Sequence, residues 1–187
     1  MKLIFLGSQG SGKSTQAKML AQKLGIPAIE MGQLLREKAK KNDIEAGEIR
    51  QAIQTGNLVP DVITVRTLQE RISRPDCQSG YVLDGYPRNY AQLEGLDDDI
   101  DVVFDIKVSD QEGIKRLIDR SRHDDSLEVI TRRLAIFHKE TEPLLAYFRN
   151  KGILEEVDGA RSIEEIHQDV VKRIEKYKTK DHANSKI

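Results

Sequence analysis

The run Gly7-Ser8-Gln9-Gly10-Ser11-Gly12-Lys13-Ser14 fits the spacing G-x-x-x-x-G-K-[ST]. It follows an apolar stretch, Lys2 to Leu6, and opens a helical pattern from Lys13 to Leu24. Strand, glycine-rich turn and helix in that order leave few architectures open. Glycines at these positions let successive backbone N–H groups curl around an anion where a Cβ would intrude, and the start of the helix adds the positive end of its dipole. The expected ligand is a nucleotide phosphate held by Gly10, Ser11, Gly12, Lys13, Ser14 and Thr15. In this arrangement Lys13 reaches the β- and γ-phosphates, and the Ser14 or Thr15 hydroxyl serves Mg²⁺.

The rest of the chain repeats the alternation. Pro27 to Ile29, Tyr81 to Leu83, Asp101 to Val108 and Ile153 to Val157 read as strands. Leu34–Lys41, Ile44–Gln54, Val62–Ile72, Asp110–Ser121, Leu127–Asn150 and Ser162–Tyr177 read as helices. Strands alternating with helices predict an α/β fold, a parallel sheet with helices on both faces. One domain is expected over residues 1–177, with a polar, frayed tail over 178–187. The 30 Lys+Arg and 31 Asp+Glu nearly cancel, which argues against a nucleic-acid partner. Cys77 is the single cysteine, so neither an internal disulfide nor a thiolate zinc cage is expected. With no long apolar segment and no secretory leader pattern, the reading is a cytoplasmic protein without a membrane partner.

A phosphoryl acceptor needs a second site. Asp84-Gly85-Tyr86-Pro87-Arg88 stands at the carboxyl end of a predicted strand, where open α/β sheets bind ligands. Asp84 could hold Mg²⁺ through water and Arg88 could grip a phosphate with two N–H groups.

Four segments in order, GSQGSGKSTQ (7–16), MGQLLR (31–36), LDGYPRNYAQ (83–92) and RLIDRSRHDD (116–125), together with ITRRLAIFHKETEPLLAYF (130–148), make the chain resemble the adenylate kinases. The resemblance implies a P-loop kinase core with a five-stranded parallel sheet, a helical AMP-binding insertion over 30–59 and a short lid over 121–126. It also implies transfer of the ATP γ-phosphoryl group to AMP, giving two ADP. Arg36 and Arg88 would hold the AMP phosphate, and Gln92 would read adenine beside Gly85 and Asn57-Leu58-Val59. Met31, Arg122 and Arg133 complete the AMP side. Arg116 would stack on the ATP base, with Arg161 touching it nearby. Arg120, Arg122 and Arg133 would join Lys13 and Arg88 around the transferring group, oriented by Asp124 and Asp125. The zinc-bearing long lid of some relatives is missing, so Mg²⁺ is the expected cofactor and zinc is not. ATP and AMP are the expected partners of a monomer.

The chain departs from the family at Glu30-Met31-Gly32-Gln33, where Ser-Thr-Gly-Asp is usual, and at Ser14, where glycine is usual. Those changes leave a UMP/CMP kinase open as an alternative, and a non-catalytic adenylate sensor is a second one. Gln92 favours AMP, since the pyrimidine kinases resemble this pattern with Asn there. The arginine set favours an enzyme over a sensor. An RNA-associated ATPase fits neither the charge balance nor the residues. His123, His138, His167 and His182 lack metal-ligand spacing and are read as solvated or core-edge residues, and Asp97-Asp98-Asp99 as a loop cap.

Overall fold

The structure is a computed structural model that describes residues 1–120 and 126–184, without the side chains of 120 and 178–184. Five strands, β1 (Lys2–Leu6), β2 (Ala28–Glu30), β3 (Tyr81–Asp84), β4 (Val102–Lys107) and β5 (Leu154–Asp158), form one parallel sheet in the order β2-β3-β1-β4-β5. The helices are α1 (Lys13–Leu24), α2 (Met31–Lys38), α3 (Ile44–Thr55), α4 (Asp61–Ile72), α5 (Asp110–Arg120), α6 (Leu127–Ile136), α7 (Glu142–Asn150) and α8 (Ile163–Asn184). The expected α/β fold with a five-stranded parallel sheet is thus what the chain forms.

Burial on both faces explains why the central strands are mostly apolar, Asp84 and Asp105 excepted. Leu3 and Phe5 of β1, with Val82, Val102, Phe104 and Ile106, pack under α1 and α8. The alternate residues Ile4 and Leu6, with Leu83 and Val103, meet Leu68 of α4 and Leu144, Leu145 and Phe148 of α7. α2 and α3 keep a small core of their own around Ala39, Ile49, Ala52 and Val59. α3 starts at Asp43, whose carboxylate accepts from the Ala46 N–H at 2.7 Å, and stops at Gly56 in left-handed backbone.

Three elements differ from expectation, the first being α2, which spans Met31–Lys38 rather than Leu34–Lys41. Leu127–Asn150 is not one α-helix, because a π-helical turn over Phe137–Thr141 separates α6 from α7. The cause is Pro143, near the start of α7, which has no N–H to continue the regular ladder. α8 runs past Tyr177 to Asn184, a stretch without glycine or proline to stop it. The Asp97–Asp99 run closes the amino end of the sheet: Asp97 and Asp99 pair with Lys2 at 2.9 and 2.7 Å, and Asp97 accepts from the Tyr81 hydroxyl.

Among the described residues, no helix is long and apolar enough to cross a membrane. The lid expectation falls largely outside those residues: the Arg120 side chain, Arg122, His123, Asp124 and Asp125 are not described, nor is the side chain of His182.

Candidate active site

Parallel strands place every carboxyl end on one edge, and there a cleft of about 530 Å³ opens beyond β1, β2 and β3. The loop after β1 forms its floor. Gly7, Gly10 and Gly12 all have positive φ, and the space around Gly10 is as restrictive as its backbone. A Cβ there would stand 2.3 Å from the Gly113 carbonyl oxygen of α5, and a Cβ on Gly113 would stand 2.7 Å from the Gln9 carbonyl. Two glycines in contact let α5 seat its first turns on the loop. Lys13 lies at the start of α1 and donates to the Ser8 carbonyl at 2.9 Å, which bends its ammonium back over the loop. No side chain caps α1, whose Ncap is Gly12, so the end of the helix is left to face the cleft.

Buried oxygens without a hydrogen-bond partner beside the loop include Ser11 Oγ and Asp84 Oδ1. An orphaned carboxylate oxygen at the end of β3, in a residue that lines the same cleft as Ser14, is a hard donor of the kind Mg²⁺ takes with its waters.

Arg88 is the centre of charge on the opposite wall. Its Nε donates to the Gly85 carbonyl at 3.1 Å, and its own carbonyl accepts from the Thr141 hydroxyl at 2.7 Å. Desolvation lowers the pKa of this half-buried guanidinium, Asp84 opposes that shift, and the neighbouring Arg133 and Arg36 add to it. Three arginines from α2, α6 and the loop after β3 therefore converge on one cleft, a concentration of positive charge that suits a polyanion. Arg133 is steadied by the Ile53 carbonyl of α3 at 3.2 Å.

Arg116 is anchored at both ends of its guanidinium, to Glu112 at 2.7 Å and to the Gly159 carbonyl at 3.0 Å. Arg161 is tied to Asp169 at 2.7 Å. Both line the side of the cleft nearest β4 and β5.

The fold thus brings Gly10 to Thr15, Met31, Arg36, Asn57, Leu58, Val59, Asp84, Gly85, Arg88, Gln92, Arg116, Arg133 and Arg161 to one cavity. Met31 contributes little of its side chain to it, being 1% exposed and packed in the core. Glu30 pairs with Lys18 at 3.0 Å. Sequence reasoning missed Thr141, Asp61 and Asn89. Asp61 is the first residue of α4, and its carboxylate accepts from Gln92 Nε2 at 2.8 Å and from Asn89 Nδ2 at 2.9 Å.

A family model described as Adenylate kinase matches residues 5–153. Relatives named adenylate kinase include that of Archaeoglobus fulgidus, 35% identical and covering 96% of this chain and 100% of its own. Those of Thermobifida fusca, at 38%, and Parvibaculum lavamentivorans, at 39%, cover 90% and 89% of this chain and 95% and 88% of theirs.

Proposed function

The chain belongs to the adenylate kinase family, and on that premise we propose that its cleft transfers the γ-phosphoryl group of ATP to AMP, reversibly, giving two ADP. The observation that supports this reading best is the pairing of a phosphate-cradling loop with three convergent arginines across one cavity. Phosphoryl transfer asks for alignment and charge stabilisation more than for covalent chemistry.

In this reading the N–H groups of Gly10 to Thr15 and the Lys13 ammonium hold the ATP phosphates. Arg116 lies along the ATP base, with Arg161 beside it. Arg36 and Arg88 grip the AMP phosphate and aim one of its oxygens at the γ-phosphorus. Arg133, with Arg120 and Arg122 of the short lid over 121–126, surrounds the transferring group and keeps water away from it. Met31 and the residues over 30–59 close the AMP side as a helical insertion. Ser14 and, through water, Asp84 would hold Mg²⁺, which when bound offsets negative charge on the phosphates.

Gln92 reads adenine. Its carboxamide has two N–H groups and two lone pairs. Asp61 takes one N–H and the Arg88 backbone N–H takes one lone pair, leaving one donor and one acceptor for a base edge. Gly85, Asn57, Leu58 and Val59 frame the base. The partners in this account are ATP and AMP, the protein a monomer acting in the cytoplasm without nucleic acid.

The test is to incubate purified protein with Mg·ATP and, separately, AMP, UMP, CMP and GMP, and to quantify every nucleotide by chromatography. Two ADP per AMP, with transfer strongly reduced in Arg88→Ala, is the expected result. Preference for UMP or CMP would overturn the use of Gln92, and ATP binding without transfer to any acceptor would leave a sensor.

A further inference from the structure

Gln92 is 1% exposed and held between two groups that each hydrogen-bond in one sense only. The Arg88 backbone N–H can only donate, and it donates to Gln92 Oε1 at 2.8 Å. The Asp61 carboxylate can only accept, and it accepts from Gln92 Nε2 at 2.8 Å. Asp61 is itself fixed by Asn89, whose Nδ2 donates to its two oxygens at 2.9 and 3.1 Å. Asn89 in turn caps the short helical turn Tyr90–Gly95 by accepting from the Gln92 N–H at 3.0 Å. These partners leave the carboxamide one permitted orientation, in which oxygen and nitrogen cannot exchange places.

That orientation bears on chemistry. An adenine edge offers an amino donor at position 6 and an acceptor at N1. A 6-oxopurine offers the reverse, an acceptor at position 6 and a donor at N1. A carboxamide free to turn over could serve both, with its two ends interchanged. One that is locked serves adenine and meets a 6-oxopurine donor to donor and acceptor to acceptor. Asp61 does not line the cleft, so it would act on the base solely through Gln92.

We propose that Asp61 is a specificity-determining positioning residue that locks the Gln92 carboxamide and thereby excludes 6-oxopurine monophosphates. This rests on the reading above that Gln92 meets the acceptor base. Replacing Asp61 by asparagine keeps its shape but makes the neighbour two-sided, since a carboxamide can face Gln92 with its oxygen or with its nitrogen. Of the two one-way locks, only the Arg88 N–H then remains.

The experiment compares wild-type protein, Asp61→Asn and Gln92→Leu with Mg·ATP and either AMP or IMP, reading kcat and KM for each acceptor and KM for ATP. In Asp61→Asn the AMP-over-IMP ratio of kcat/KM is expected to fall about tenfold, the weight of one mismatched hydrogen bond, with KM for ATP unchanged. Should that variant not fold, as a thermal melt would show, Asp61→Ser gives the same reading through a hydroxyl that both donates and accepts. A wild-type ratio in the Asp61 variants, together with a collapsed ratio in Gln92→Leu, would overturn the lock and leave the adenine reading standing. An unchanged ratio in Gln92→Leu would overturn both.

Discussion

Thr141 is the residue whose loss should separate structural support from substrate contact most cleanly. It sits in the π-helical turn, 5% exposed, and its hydroxyl donates to the Arg88 carbonyl at 2.7 Å across 53 positions of sequence. Valine has nearly the same shape and no donor. Thr141→Val leaves the Arg88 carbonyl without this partner in a partly buried setting, at a cost of about 1–3 kcal/mol. In a chain of this size each kcal/mol moves Tm by roughly 2–4 °C, so a loss near the middle of that range lowers Tm by roughly 4–8 °C. Function should change asymmetrically. The loop carrying Arg88 loses a tether, so KM for AMP rises several-fold, while the hydroxyl's bond runs to that loop rather than to residues 7–14, so KM for ATP stays put. Thr141→Ser restores the hydroxyl and should restore KM for AMP, although the missing methyl still costs about 1 kcal/mol of stability. Differential scanning calorimetry and initial rates with each nucleotide varied in turn provide the readings. Wild-type Tm and KM in Thr141→Val, or an equal rise in KM for AMP in both variants, would refute the assignment.

The contact between Gly10 and Gly113 predicts that Gly113→Ala, which pushes a methyl within 2.7 Å of the Gln9 carbonyl, destabilises by about 1–3 kcal/mol and weakens ATP binding; urea unfolding and calorimetric titration with ATP would check this. Asp105, at 2% exposure, has its pKa raised from 3.8 to about 6 by burial, against Lys107 and Arg149 and with Glu156 and Glu142. A carboxyl with a raised folded pKa favours folding while protonated, so its contribution is full below pH 3.8 and is lost as pH climbs through about 6. Asp105→Asn should accordingly gain on wild type by about 2–3 kcal/mol between pH 4 and 7.5, read by denaturant titration at each pH, and a flat difference would sink the argument.

The sequence reading was accurate where local chemistry decides structure. β1 and α1 have the expected bounds because an apolar run, a glycine turn at Gly12 and a glycine stop at Gly25 mark them within a few residues. Arg36, Arg88 and Arg133 were identified through family resemblance, and the fold places them on the same cavity. What escaped notice depends on distant partners. Asp61 meets Gln92 across 31 positions and Thr141 meets Arg88 across 53, and neither residue type announces such a partner. The π-helical turn did leave a trace, Pro143, but a proline near a helix start and a proline in a helix interior look alike without the preceding turn in view.

That turn also sets the angular timing of a long rod. In regular α-helix, residues eleven apart come round to within about 20° of each other, so Arg133 and Leu144 would share a side. They serve opposite ends of the molecule's economy: Arg133 borders the cleft, and Leu144 is fully buried beneath the sheet. The wide turn between them takes up an extra residue and sets the phase back by roughly 100°. α6 and α7 thereby work as a crankshaft with offset throws, one aimed at substrate and one keyed into the core. A regular α-helical ladder over 137–141 with every residue kept would bring the throws into line, and the rod could then seat its leucines or present its arginine, but not both.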